Sequence, residues 1–360
     1  MLLKDIFSAG RVRVIAREFA AAEPGFDRAG FLRIALHNHD DLGLLTRLRR
    51  VTDGLRAALP GPFPVALEVL RRVAPRTPRG LASMYLPDFV GRHGLGHFRL
   101  SMRALREFTI LGSSEFGIRP FLEAGLSRTL AEMEKWTRDS DEHVRRLASE
   151  GCRPRLPWAR RLDALVADPE PVAGILEALK SDPSPYVRKS VANHLNDISK
   201  DHPDWVFARL ERWDLTDPRT RWIARHALRN LIKAGDPRAL ALMGAGDPPR
   251  VVVRRFAVGP RTITTGQAIT LRLDIASASS APQCLIIDYA IHYVKKSGAA
   301  SPKVFKWKNF RLEPGGTAAL AKSQVIRDFS TRKHYPGSHR ITVTANGTPL
   351  AAGSFVLRKN

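Results

Sequence analysis

The stretch SDPSPYVRKSVA (181–192) places Asp182 and a proline ahead of a run that mixes apolar and basic residues, and two other parts of the chain echo it. RDSDEHVRRLAS (138–149) and TDPRTRWIARHA (216–227) align with it, so that Asp139, Asp182 and Asp217 stand 43 and 35 residues apart. Asp182 or Asp217 is expected to cap a helix, with the following proline in the first turn, where its missing N–H costs nothing. Val144, Val187 and Trp222 would then face the neighbouring repeat.

A period of about 40 residues with this pattern is that of HEAT-type helix pairs, which stack into an α-solenoid with a concave face. The remainder of the chain up to about residue 247 agrees with it. Val12, Ile15, Ala16 and Phe19 recur at helical spacing, as do Leu67, Val69 and Leu70 in FPVALEVLRRV. Breaks rich in Pro, Gly and Asp (AAEPGFD, LPGPFP, APRTPRG, ADPEP) separate the helical stretches, and strand-like alternation is scarce.

Beyond the linker MGAGDPPR the texture changes. VVVRRFAV, AITLRLDIAS, CLIIDYAIHYV, VFKWKNFRL, SQVIRDF, HRITVTA and AGSFVLR are short, β-branched or aromatic, and divided by turns such as PGG, YPG and NGT. About seven strands in 110 residues predict an immunoglobulin-like β-sandwich. The expected organisation is mainly α: a HEAT-like-repeat α-solenoid over 1–247, followed by a C-terminal β-sandwich over 250–360.

Lys and Arg total 58 against 35 Asp and Glu, a net charge of +23 and a pI near 10.9. Such an excess points to a polyanionic partner. The residues from 250 onward hold 18 Lys and Arg against 4 Asp and Glu, so the sandwich is expected to be a second polyanion-binding surface rather than a spacer. No apolar run approaches the ~20 residues of a spanning helix, and the start, MLLKDIFSAGRVRV, lacks a secretory signal. Cys152 and Cys284 lie far apart and in different domains, which leaves no disulfide framework and no CxxC site. A soluble, cytoplasmic protein that does not engage a membrane is expected.

Five stretches carry candidate chemistry. TILGSSEFGIRPFLE (109–123) sets Glu115 in an apolar run ending in Gly117 and Pro120. Gly117 as a helix stop would put Glu115 in a last turn, where the helix dipole disfavours a carboxylate. Alternatively Ser113 caps a new helix, or Glu115 pairs with Arg119. Asp197 ends the helix of the second repeat in the polar stretch NHLND; it is either a solvated helix end or a second carboxylate facing the same groove as Glu115. EGCRPRLPWARRL (150–162) crowds Arg153, Arg155, Arg160 and Arg161 around Trp158, which suits phosphates plus stacking, or else a core Trp among solvated arginines. HNHDD (37–41) and HGLGH (93–97) contain metal-type ligands without a zinc spacing, so neither a metal nor a cofactor is expected. P-loop, GxGxxG, GxSxG and CxxC fingerprints do not occur.

LPDFVGRHGLGHFRLSMRALREFTILGSSEFGIRPFL, SEGCRPRLPWARRL and VRKSVANHLNDISKDHPDWV together resemble the AlkC branch of the bacterial HEAT-like-repeat DNA alkylation repair glycosylases. SSEFGIRPF and RPRLPW are the specific parts, and the similarity runs from end to end, because that branch also carries a C-terminal immunoglobulin-like domain. The resemblance implies catalytic carboxylates at Glu115 and Asp197 and an active-site aromatic at Trp158. It further implies a monofunctional glycosylase that excises 3-methyladenine and 3-methylcytosine from duplex DNA with the lesion still in the helix.

The residue types agree with that chemistry. An N3-methylated base already carries positive charge and leaves readily, so what needs stabilising is the oxocarbenium-like sugar, a task for an anionic carboxylate. Phosphate contacts are expected from Arg119, Arg153, Arg155, Arg188 and Lys189. The loops SPKVFKWK and RDFSTRKHY, with Lys306, Lys308, Arg332 and Lys333, are expected to bring the sandwich to the minor groove. A monomer without an obligate protein partner completes the expectation. The rivals are a non-catalytic solenoid that reads nucleic acid by shape and charge, and a protein scaffold, which the charge disfavours.

Overall fold

The computed structural model describes residues 2–329 and 332–358. Two compact units divide the chain, Met1–Ala227 and Leu228–Asn360.

In the first unit the three aligned segments open the helices Glu142–Glu150, Pro185–Ile198 and Pro218–Ala227, and the middle helix packs against both others. Asp217 caps as expected, its Oδ1 accepting from the N–H of Arg219 at 2.8 Å. In the other two repeats the cap lies further on. Asp141 and Ser184 accept from the N–H groups of His143 (2.7 Å) and Tyr186 (3.2 Å), while Asp139 and Asp182 shape the turn ahead of them. The third helix therefore starts earlier relative to its Asp. Its buried counterpart to Val144 and Val187 is Thr220, and Trp222 is instead 41% exposed and stacked on His226 at 5.0 Å.

Freed from capping, Asp139 and Asp182 join successive repeats. Arg106, on the helix Phe98–Phe108, donates to Asp139 at 2.6 Å, and Arg145 on the next repeat donates to Asp182 at 2.7 Å. The same stitch recurs one repeat apart, which fixes the spacing of the helices that carry the site.

The second unit opens with two short helices, Arg229–Ala234 and Pro237–Leu242, that the change of texture near residue 247 does not reveal. Leu240 and Ala245 are buried with Ile286, alongside Ile232 and Met243, so these helices belong with the sheet. Among the described residues eight strands follow: β1 (Val251–Gly259), β2 (Thr262–Thr264), β3 (Ala268–Ser277), β4 (Gln283–Val294), β5 (Ala300–Leu312), β6 (Thr317–Val325), β7 (Gly337–Ala345) and β8 (Thr348–Arg358). They form sheets of order β1-β3-β6 and β2-β8-β7-β4-β5.

The core is filled from both inner faces. Ile269, Leu271, Leu273 and Ile275 of β3 meet Leu285, Ile287, Tyr289 and Ile291 of β4 at a spacing of two, as a sandwich requires. Two strands depart from the sequence pattern. β2 is a three-residue strand parallel to β8, and β6 begins six residues ahead of SQVIRDF and takes in only its first three residues. TAALAKS has little strand preference of its own, and its pairing with β3 from Ala268↔Val325 to Ala276↔Thr317 imposes the conformation.

Asp288 sits on the outer face of β4, buried, with Oδ1 lacking any partner among the described residues. Burial pushes its carboxyl up to about 6, with Lys233 the opposing influence. A carboxyl raised in the fold costs stability once pH passes through the folded value, and costs nothing below the ordinary carboxylate range, where it is protonated in both states. Displacing a carboxyl pKa by one pH unit is worth ~1.4 kcal/mol, and a buried amide brings some desolvation cost of its own. Asp288→Asn should therefore stabilise the protein at pH 8 by about 1–2 kcal/mol. Urea unfolding at pH 8 and pH 4 checks this: the gain should be absent at pH 4.

Candidate active site

Glu115 lies in neither a last nor a first helical turn. It belongs to the irregular segment 109–118, between the helices Phe98–Phe108 and Arg119–Ala124. Pro120 opens the second of these as expected, but that helix stops at Gly125 and a new one runs Leu126–Trp136. The segment is fixed by its small residues. Ser114 Oγ donates to the carbonyl of Leu105 at 2.8 Å, and Leu111 O accepts from Gly80 N at 2.7 Å.

Gly117 serves close packing rather than helix termination. A Cβ there would stand 2.3 Å from the carbonyl oxygen of Pro87, and one on Gly91 would stand 2.7 Å from that of Gly117. Backbone meets backbone at this point, which only glycine permits.

The partner of Glu115 is Arg146, not Arg119. Arg146 Nη1 lies 2.7 Å from Glu115 Oε2, and Ser113 Oγ donates to the same oxygen at 2.7 Å. The other nitrogen, Nη2, is 3.3 Å from Glu150 Oε1, which also accepts from Arg153 at 2.7 Å. Arg153 in turn reaches Asp197 Oδ2 at 2.8 Å. Glu115, Arg146, Glu150, Arg153 and Asp197 thus form one unbroken line of alternating charge. Ser190 Oγ donates to the remaining Glu150 oxygen at 2.6 Å, and Lys200 meets Asp197 at 3.1 Å at the outer end. A buried ion pair needs all its lone pairs satisfied to offset desolvation, and each member here has at least two charged or polar partners.

His194, fully buried on the Asp197 helix, contributes no charge to this line. Burial and the neighbouring Arg153 push its pKa down to about 3, so it is neutral at physiological pH.

Trp158 sits in the segment 151–162, which has no regular structure, and is 59% exposed, so it is not a core residue. Its φ of +67° is the left-handed region, uncommon for a bulky side chain and costing on the order of 1 kcal/mol. Arg119 holds that segment in place from beneath. Its guanidinium donates to the carbonyls of Gly151 (3.2 Å), Arg153 (2.9 Å) and Arg160.

Glu115, Arg146, Glu150 and Trp158 all line one open cleft of about 410 Å³, together with Phe116, Met84 and Tyr186. Tyr186 lies over Arg146, with 4.9 Å from the guanidinium carbon to the ring centre. Asp197 does not line the cleft: it is buried and joined to it through Arg153 and Glu150.

The expected phosphate contacts divide. Arg119 and Arg153 are buried, 4% and 7% exposed, with guanidiniums committed to carbonyls and carboxylates, although Arg153 lines the cleft of Glu115 and Arg119 lines a neighbouring one. Arg155 pairs with Asp201 at 2.8 Å, and Arg188 donates to the carbonyls of Asp182 and Pro183 ahead of its own helix. Lys189, Lys306, Lys308, Arg332 and Lys333 are exposed. A bulge at Trp307 sets Lys306 opposite Asp288 and Lys308 opposite Ile287, on different faces of the edge strand β5, so the two lysines do not form one patch. In the loop carrying Arg332, Ser330 and Thr331 lie outside the described residues.

His93 and His97 are engaged in aromatic packing, against Phe89 at 4.9 Å and Phe63 at 5.4 Å. Among the described residues no three His, Cys, Asp or Glu side chains converge as a metal site, and no helix is long and apolar enough to cross a membrane.

Sequence reasoning missed Arg146, Glu150 and Tyr186. Arg146, Glu150 and Arg153 recur at helical spacing on one face, a signal of stacked ion pairs that was present in the sequence.

Comparison with known proteins follows the same division of the chain. Residues 109–231, from the Glu115 segment onward, match the family described as DNA alkylation repair enzyme, and residues 252–359 match the C-terminal Ig-like domain of uncharacterised protein YhaZ. The uncharacterized protein YhaZ of Bacillus subtilis (strain 168) is 40% identical over 346 residues, 96% of each chain. The alkylpurine DNA glycosylase AlkC of Pseudomonas fluorescens, solved bound to DNA containing an abasic site analog, is 49% identical. It superposes with a TM-score of 0.96 over 99% of this chain and 100% of its own. The chain belongs to the AlkC branch of the DNA alkylation repair enzymes and is a DNA glycosylase.

Proposed function

We propose that the protein excises cationic N3-methylated bases, 3-methyladenine and 3-methylcytosine, from duplex DNA as a monofunctional glycosylase, without turning the base out of the helix. The observation that carries this reading is Glu115 on the wall of an open cleft beside an exposed, strained Trp158. A strained functional side chain persists only where its surroundings over-determine it, and Arg119 supplies that constraint.

In this reading Glu115 lies against the deoxyribose and stabilises the positive charge that develops as the glycosidic bond breaks. Trp158 offers the electron-rich face of its indole to the same cation. The methylated base departs neutral, so no general acid is required. Asp197 acts at a distance. The line from Glu115 to Asp197 sets three carboxylates against two guanidiniums, and its outer cation, Lys200, is 44% exposed and screened. The cleft thereby keeps a negative field inside a protein of net charge +23. Water attacks the sugar once the base has left.

An open cleft between two exposed rings suits a lesion approached from its backbone side. Selectivity then rests on the lability of the lesion and on how the duplex deforms. The AlkC relative held on DNA with an abasic analog agrees with a product of this kind.

The test is release of free base from N-methylated duplex DNA by the wild-type protein. Release of 3-methyladenine and 3-methylcytosine, leaving an uncleaved abasic strand, is expected. Tight DNA binding with neither base released would overturn the assignment of substrate.

A further inference from the structure

Trp158 also lines a second cleft, of about 390 Å³, on the N-terminal side of the first. Leu45, Leu48 and Phe116 supply an apolar floor, while Arg49, Arg92 and Arg160 stand around it. Their charges are unequally committed. Arg92 is anchored, with Nη2 2.7 Å from Asp53 and Nη1 donating to the carbonyl of Arg49 at 3.1 Å. Arg49 is exposed and has no carboxylate within 4.0 Å among the described residues. Arg160 is 86% exposed on its side chain, and Glu123 approaches it only to 3.8 Å.

The carboxylate deepest in this cleft is withdrawn. Asp88 accepts a 2.6 Å hydrogen bond from Thr52 and is mostly buried, and burial raises its pKa. Glu123 is the other carboxylate of the lining, so with Arg49, Arg92 and Arg160 the rim carries net positive charge above an apolar floor, and one wall of it is the indole that the first cleft also uses.

We propose that this second cleft holds a backbone phosphate of the strand whose sugar lies against Glu115, gripped by Arg49 and Arg160 with Arg92 behind them. It rests on the reading of duplex DNA as substrate. Successive nucleotides advance about 3.4 Å along the helix axis, so two clefts sharing one indole suit a sugar and a phosphate one or two nucleotides apart. Guanidiniums match a phosphodiester in planar, paired hydrogen bonds. Trp158 is then held on both sides, by the lesion's sugar and by the flanking backbone.

The experiment uses equilibrium binding of the whole protein to a duplex with a tetrahydrofuran abasic site, which has no base to excise and so reports on grip rather than chemistry. Single phosphates within two nucleotides of that site are replaced in turn by neutral methylphosphonates. One position should weaken wild-type binding by about 3- to 10-fold. An Arg49→Gln, Arg160→Gln double variant should bind unmodified DNA with a similar deficit and show no further loss at that position. Its slope of log affinity against log salt should be shallower by about 1, since neutralising one phosphate contributes ~0.9.

Both side chains are exposed, so loss of fold is not at issue. A variant with the wild-type salt slope, or one whose deficit adds to the methylphosphonate effect at every position, would overturn the subsite alone. Failure of the wild type to bind the duplex would remove the reading of the substrate and the subsite together.

Discussion

Glu115→Gln is expected to lower the single-turnover rate of 3-methyladenine release by about 10²–10³-fold, equivalent to ~3–4 kcal/mol of lost transition-state stabilisation. Binding to abasic DNA changes little. Gln keeps the shape and the hydrogen bonds to Ser113 and Arg146 but removes the charge. Because Arg146 also meets Glu150, the substitution leaves no buried cation alone. Asp197→Asn, one ion pair behind the cleft-lining Arg153, acts through the field alone, an effect of order 1 kcal/mol or about fivefold. An Asp197→Asn variant as impaired as Glu115→Gln would mean that Asp197 touches the substrate directly. A Glu115→Gln variant with wild-type rate would remove the carboxylate from the chemistry.

Arg153→Ala destabilises the helical unit by about 3–5 kcal/mol, the largest stability effect we expect from any single change near the cleft. Arg153 lies between Glu150 and Asp197, and its removal leaves two buried carboxylates facing each other across the gap. Urea unfolding followed by far-ultraviolet circular dichroism measures the loss. Glu150→Gln added to Arg153→Ala should restore part of it, because one of the two stranded charges is gone. A phosphate-binding arginine would behave oppositely, leaving stability intact and weakening DNA binding as salt rises.

The fold was legible where local chemistry repeats. The Asp-led segments marked the repeats, and the alternation in AITLRLDIAS marked β3 as half-buried. The misjudged details share a cause: they depend on residues far away in sequence. Trp222 moved to the surface because the third helix begins directly after its Asp, a difference visible only once Asp141 and Ser184 are known to cap the other two. β6 is a strand because β3 pairs with it, and the two helices before β1 join the sheet through Ile286.

The site was legible as residues and not as geometry. TILGSSEFG drew attention to Glu115, yet nothing in that stretch shows that Arg146 would meet it or that Gly117 is needed for the approach of Pro87. RPRLPWARRL pointed to a cluster of arginines around Trp158. The structure gives them different tasks: Arg153 neutralises carboxylates, Arg155 holds Asp201, and Arg160 faces solvent. Charge in the sequence counts cations without saying which remain free.

Arg119 secures the Trp158 segment by gripping carbonyl oxygens, and every amino acid presents the same carbonyl. The clamp is therefore indifferent to the identities of the side chains it holds. In a library of randomised variants the side chains of 154–160, Trp158 and Arg160 apart, can therefore be exchanged while the backbone that delivers them stays put. The frame and the fingers of the site are encoded separately.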